Sequence, residues 1–365
     1  MRNQLIGIRV KAARETAGVT QDSLAAELGF NDRQTISDIE NGKRALKAEE
    51  LARLSDLLDR DLDYFVDPFV VAGEASFSWR AVPDASSSAL KAFEERAGAW
   101  IGLLRWLRQA QPGAARPLKQ MLRVSARSSF EEAQDRAEEL VESLGLPPVP
   151  AQGLAERIES RLDIPVLFVD SPDDLVSGAA CQLRDLSVIL VNRRDPEGRR
   201  SFDLAHELFH VLSWDSMAPA ARESNVPDPR ARGRRSEQLA DNFASALLMP
   251  RATLEDLVDR RRAGDVAHLR DVARSLRVTT AALGWRLLNL GWIDERVRQA
   301  LQRERADSPR SDPPKRFSAG FAASLHCAVD RGRISARKAA KTMGLTLPEL
   351  AALFAEHDLP APFAL

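Results

Sequence analysis

Apolar positions recur at three- and four-residue steps along most of the chain, and alternating or continuous apolar runs are confined to its middle. In residues 1–68 the stripes are short and sharply punctuated. Ile6, Val10 and Ala13 form the first, closed by Gly18; Thr20 then caps a helix over 21–28 that Gly29 ends. Asn31 is expected to cap the next helix, with Gln34 at the capping-box position and Ile36 and Ile39 turned inward before Asn41 and Gly42. Leu51, Leu54, Leu57 and Leu58 supply another apolar face, and Leu62, Tyr64 and Phe65 close the bundle. Two short helices joined by a Gly-containing turn have helix-turn-helix geometry, in which the second helix enters the major groove.

Further along, 75–82 alternates as a short strand and 89–108 is helical, with a Pro- and Gly-bearing break at 111–116. A helix over 130–144 stops at Gly145, and Leu146-Pro147-Pro148 marks a boundary. The next stretch mixes periods: a helix over 154–162, strands over 166–169, 176–184 and 187–191, then a Pro- and Gly-free helical pattern over 199–214. After Pro250 the pattern is helical, with Thr279 or Thr280 as a cap, a polar Pro-rich linker over 302–316, and two short helices within 334–355. The fold class is therefore mainly α with a small α+β domain. It comprises an N-terminal helix-turn-helix bundle (1–68), a helical connector (69–129), an α+β unit (130–250) and a helical C-terminal region (251–365). A sheet beside the 199–214 helix could hold an extended peptide along an open edge, for which 177–180 is the candidate.

The 199–214 helix carries the chemistry. His206 and His210 stand four apart, on one face, with Glu207 beside them, the spacing of a zinc hydrolase. Such a site needs a third protein ligand. Glu237, at the start of the next helical pattern, is the candidate, and Asp241 one turn on is placed to orient His206 or His210. Zinc is expected, one per chain, with manganese as the alternative, and Glu207 as the base of metal-assisted amide hydrolysis. The one Tyr, Tyr64, lies in the N-terminal bundle, which leaves His268, His326 or Arg184 as candidate oxyanion donors.

Composition narrows the setting. The 365 residues carry a formal net charge of −1, which excludes a globally basic nucleic-acid binder and places any DNA contact on a local surface. Two widely separated cysteines, Cys181 and Cys327, suit a reducing cytoplasm and give no disulfide framework. No apolar run of membrane-spanning length occurs, so no membrane partner is expected. On the bundle, Arg33, Gln34, Thr35 and Ser37 are the base-facing candidates, and Gln21, Lys43 and Arg44 flank them where phosphates would lie. Arg331, Arg333, Arg337, Lys338 and Lys341 offer a second DNA contact or, by preference, a docking module.

The stretch TQDSLAAELGFNDRQTISDIENGKRALKAEELARL resembles the XRE (Cro/C1-type) repressor domain. SVILVNRRDPEGRRSFDLAHELFHVLSW, EQLADNFASALLMP and VSGAAC together resemble the ImmA/IrrE-family metallopeptidases. These resemblances imply a DNA-binding regulator with a zincin-like, gluzincin-type peptidase: His206, His210 and Glu237 as ligands, Glu207 as base. They also imply a double-stranded operator and a protein substrate of repressor or antitoxin-like kind in a stress, DNA-damage or mobile-element response; a homodimer is expected because paired half-sites suit a helix-turn-helix domain. Phe209 departs from the Gly the family often has there, and is expected to narrow the space beside the metal. The alternatives are a regulator whose metal domain does not cleave, and the toxin or effector half of a two-gene or phage-defence module.

Overall fold

The computed structural model describes residues 2–82, 85–109, 121–222, 234–303 and 312–364. The break expected at 111–116 and most of the polar stretch 302–316 lie outside them. Five helices open the chain: α1 (Arg2–Thr16), α2 (Gln21–Leu28), α3 (Arg33–Glu40), α4 (Ala48–Leu57) and α5 (Leu62–Val66). Val10, Leu24, Ile36, Ile39, Leu54 and Phe65 fill their shared core. Helix α1 crosses α3 at Gly7, where a Cβ would stand 2.3 Å from the Ile39 carbonyl oxygen, so only glycine permits the approach. The crossing also buries an ion pair. Arg14 donates from Nε to Glu40 Oε1 (2.6 Å) and from Nη2 to Oε2 (3.2 Å), and from Nη1 to the Val19 carbonyl (2.9 Å). Gln21 Nε2 donates to the same Glu40 Oε2 at 2.7 Å.

The α3 cap lies one residue later than the sequence pattern indicates. Asp32, not Asn31, is extended (φ −152°, ψ 164°) and its side chain accepts from the Thr35 amide at 3.1 Å. Gln34 therefore stands one place short of a capping box, and its side chain donates to Asp38 Oδ1 (2.9 Å) instead.

Strand β1 (Ser76–Ala81) and helix α6 (Ser87–Gln109) follow, then α7 (Phe130–Leu144), α8 (Leu154–Leu162), β2 (Val166–Val169), β3 (Val176–Gln182) and β4 (Ser187–Asn192). Helix α7 has a full capping box from Ser129 and Glu132 and a left-handed Gly145 stop. The strands form one sheet in the order β1-β3-β4-β2, with β2 parallel to β4 and the other pairs antiparallel. The stretch read as a connector thus contributes an outer strand. This corrects the edge expected at 177–180: β3 lies inside the sheet, hydrogen-bonded to β1 on one side and β4 on the other. The outer edge of β1 is itself partly taken, since the Trp79 amide donates to the Ala221 carbonyl (3.1 Å) and Ser78 Oγ to that of Ala220 (2.8 Å).

Both faces of the sheet are covered, as the continuous apolar run of β4 requires. Ile189 and Val191 face α7, α8, α9 (Glu197–Ser213) and α10 (Arg234–Leu248). Val188 and Leu190 face the other way, toward a core shared with Trp79, Phe93, Trp100 and Leu104. After α10 come α11 (Arg251–Leu257), α12 (Val266–Ser275), α13 (Thr280–Asn289, capped by Thr279) and α14 (Glu295–Arg303) on the α9/α10 side. The last helices, α15 (Ala319–Asp330), α16 (Ala336–Met343) and α17 (Leu347–Glu356), return to close the second face. There Phe321, Leu325, Leu350 and Phe354 join the Trp100 core, and Trp100 Nε1 donates to the Met343 carbonyl at 3.0 Å. On α16, Lys338 pairs with Asp67 and so ties this helix to the N-terminal bundle, while Lys341 stands exposed 3.8 Å from Asp63. No helix among the described residues is long and apolar enough to cross a membrane.

Candidate metal centre

Helix α9 lies across β3 and β4, and its buried face carries the charged residues as well as the apolar ones. His206, Glu207 and His210 are 1 %, 0 % and 0 % exposed, burial that unpaired polar groups do not tolerate without a compensating partner. The adjoining helix α10 brings one. Glu237 Oε2 lies 3.2 Å from His206 Nε2 and 3.5 Å from His210 Nε2, and the two Nε2 atoms are 3.1 Å apart. A tetrahedral ion with bonds of about 2.0–2.1 Å separates its ligand atoms by about 3.3 Å, so the three donors are spaced to hold one zinc-sized cation. The donor set of two imidazoles and a carboxylate is also of the right kind.

On the far side of His206, Nδ1 lies 2.9 Å from Asp241 Oδ1. A carboxylate can only accept, so Nδ1 carries the proton and Nε2 presents its lone pair to the cluster. Of the two histidines offered to Asp241 by the spacing, it takes His206. Burial would raise the Glu237 carboxyl, but the His206 and His210 rings set against it outweigh that and hold the group well below the usual carboxylate range. Asp241 is likewise lowered, with burial opposed by the His206 hydrogen bond and the Arg80 charge.

Glu207 is wholly buried against β3. A Cβ on Gly178 would sit 3.3 Å from both Glu207 Cγ and Oε1, so the glycine of VSGAAC leaves the room the carboxylate occupies. The Phe209 ring packs in the core against Phe243, with centroids 5.4 Å apart, and stands edge-on to the His210 ring at 5.8 Å, so it lines one side of the histidine pair. Two of the oxyanion candidates are engaged elsewhere, His268 Nε2 accepting from the Asp259 amide (3.1 Å) and His326 Nε2 bonding the Pro360 carbonyl (2.8 Å), and the third, Arg184, is exposed in the β3–β4 turn. None belongs to the cluster.

Sequence reasoning missed Arg80 and Asp203. Arg80 Nε is 3.3 Å from Asp203 Oδ1, and its Nη2 is 3.9 Å from Asp241 Oδ1. Asp203 is raised by burial, against the lowering effect of Arg80 and Arg199. Beside them opens a cleft of about 830 Å³, lined by Arg80, Phe202, Asp203, Gln238, Asp241 and Trp285 among others. Trp285 is half exposed, with the Arg298 guanidinium 4.2 Å from its ring centre.

Residues 159–288 match a peptidase family model described as an IrrE N-terminal-like domain, and residues 10–65 match a helix-turn-helix model. The two matches fall on separate stretches of one chain, the helix-turn-helix model ahead of the IrrE-like one. No curated protein and no solved structure matches it. The IrrE-like domain thus contains all of α9 and α10, and with them the whole cluster, while Arg80 lies outside it.

The helix-turn-helix domain presents a narrower surface than its sequence suggests. Arg33, Gln34 and Lys43 are exposed on and after α3, whereas Thr35 and Ser37 are half-buried and bonded locally, Thr35 to Asp32 and the Ser37 carbonyl to Asn41. Gln21 is held by Glu40. Arg44 forks onto Glu50 (3.0 and 2.6 Å) with its guanidinium 5.0 Å from the Phe30 ring centre, which makes it a strut of the bundle.

Proposed function

We propose that this chain is a cytoplasmic DNA-binding transcriptional regulator whose IrrE-like domain is a zinc-dependent endopeptidase of narrow specificity, with manganese as the alternative ion. The observation that carries this reading is the triangle of His206, His210 and Glu237 with Glu207 buried beside it. His206, His210 and Glu237 are the ligands, and Asp241 fixes the tautomer of His206. Bound there, zinc supplies Lewis acidity toward a water and a peptide carbonyl. Glu207 takes the proton of the attacking water and delivers it to the leaving amide nitrogen, so that one C–N bond breaks as one C–O bond forms. The cleft beside Asp241 receives the flanking polypeptide. The substrate is a repressor or antitoxin-like protein, or another copy of the chain, in a stress, DNA-damage or mobile-element response. A homodimer reads paired half-sites of a double-stranded operator through Arg33 and Gln34, with Lys43 on phosphate and Gln21, Thr35, Ser37 and Arg44 holding the frame.

Elemental analysis of the full chain tests the metal: stoichiometric zinc in the wild type, lost in Glu237→Ala and kept in Glu207→Gln. Incubation of the zinc-loaded protein with a proteome-derived peptide library, read by mass spectrometry of new termini, tests the chemistry. Cleavage present in the wild type and absent in Glu207→Gln supports the peptidase. A second reading, a regulator whose metal domain does not cleave, is favoured by the engagement of His268 and His326 away from the cluster. It requires normal gene control in Glu207→Gln and its loss in Arg33→Ala.

A further inference from the structure

Arg80 comes from outside the IrrE-like match, yet it completes the electrostatics of the cluster. Its position on β1 is fixed from both sides. In the ladder it stands directly opposite Gly178, and the adjacent Trp79 is bridged to Arg222 on the outer edge. Residues paired across a ladder project to the same face, so Arg80 leaves the sheet on the face where Glu207 fills the room above Gly178. The ladder shifts register between Arg80 and Ala81, an irregularity that bends a strand and re-aims the side chain beside it.

The guanidinium is thereby brought between two helices. It meets Asp203 of α9 at 3.3 Å and Asp241 of α10 at 3.9 Å, and the Asp241 oxygen it faces is the one that accepts from His206. Asp203 is 2 % exposed and precedes His206 by one helical turn, so a single fork ties β1 to both helices that carry the donors. A planar fork can serve two carboxylates in fixed directions, which a point charge on a flexible stem cannot.

We propose that Arg80 is a positioning residue for the metal site: by holding the Asp241 carboxylate in place it keeps the His206 imidazole aimed, Nε2 inward, at His210 and Glu237. The idea rests on the metal-binding reading of the cluster. Its test separates the two. Full-length protein labelled with nitrogen-15 in its histidines reports the tautomer of His206 by long-range proton–nitrogen correlation, with and without zinc, alongside zinc affinity from competition with a chromophoric chelator. Arg80→Ala is expected to weaken zinc binding up to about 10-fold, the low end of the cost of losing the partner behind a ligand because Arg80 acts through Asp241, and to mix the two His206 tautomers. Arg80→Lys, which retains the charge, should recover part of both. Should Arg80→Ala fail to fold, Arg80→Met keeps the aliphatic stem near Phe202 and carries the same expectation. A folded Ala or Met variant with wild-type affinity and a wild-type His206 signal overturns the proposal. Absence of zinc binding in the wild type, with the His206 signal still altered by Arg80→Ala, sinks the metal reading and leaves the positioning role standing.

Discussion

Replacing Glu40 with Ala should unlock the helix-turn-helix domain while leaving its apolar core intact. Glu40 is 6 % exposed and is the common acceptor for Arg14, at 2.6 and 3.2 Å, and for Gln21, at 2.7 Å. The substitution leaves a largely buried guanidinium with the Val19 carbonyl and, at 3.6 Å, the exposed Glu15 carboxylate as partners, and releases Gln21 from its place at the start of α2. Breaking a buried ion pair from one side costs about 3–5 kcal/mol. A bundle of this size holds only about 3–10 kcal/mol in total, so most of its margin would go. Because the domain sits in a longer chain, amide hydrogen exchange with mass spectrometry is the suitable assay. Protection of α1 and α3 should fall by roughly a hundred- to several-thousandfold, at about 1.4 kcal/mol per tenfold, while the amides of β4 and α9 keep theirs. Operator binding should weaken with it. The double variant Arg14→Met/Glu40→Leu, which removes both charges, should regain most of the protection. A Glu40→Ala protein whose α1 and α3 exchange within threefold of wild type would refute the reasoning, since the pair would then contribute nothing that water does not replace.

Three further outcomes follow from the same geometry. Gly178→Ala places a Cβ 3.3 Å from Glu207 Cγ and Oε1 and should lower peptide turnover by roughly tenfold with zinc content unchanged, measured by elemental analysis beside the cleavage assay. Stripping the metal should lower the melting temperature: at free zinc 1,000 times its dissociation constant, binding adds about 4 kcal/mol, or about 8–16 °C for a unit of this size, and Glu237→Ala should show no such chelator effect. Burial pushes the Asp195 carboxyl up to about 6 against the pull of Arg199, so between about pH 4 and 6 the folded chain keeps a proton that the unfolded chain has released. The stability this gives is fully present below about pH 4 and is lost as pH rises through 6; Asp195→Asn should flatten that slope in denaturant titrations and be the more stable protein at pH 7, by up to about 3 kcal/mol.

The local signals in the sequence carried far. Ser129 and Gly145 bound α7, Thr279 caps α13, and the four-residue spacing of His206 and His210 turns both rings toward Glu237. What the sequence withheld was long-range. Nothing in 76–81 announces a partner about a hundred residues away, and without that pairing Arg80 reads as an ordinary charge on a short strand and 177–180 as an open edge. The apolar run of β4 demands cover on both faces, yet it does not say that α6 and the last three helices provide it. The one-residue displacement of the α3 cap has a simpler cause: Asn31 and Asp32 are both good caps, and only the backbone decides between them.

The lacing of the sheet also sets a schedule for biosynthesis. Strand β1 is made about a hundred residues before β3, and α6 more than two hundred before α15–α17, the helices that share its core. At about 5–20 residues per second the first wait is roughly 5–20 s and the second longer, while the helix-turn-helix bundle is already complete. Throughout that interval Trp79, Phe93 and Trp100 can pack on one another but lack the cover that β3, β4 and the last three helices give them. A nascent chain of this design completes the core of its N-terminal bundle early and leaves the core of its middle unfinished until the last three helices arrive.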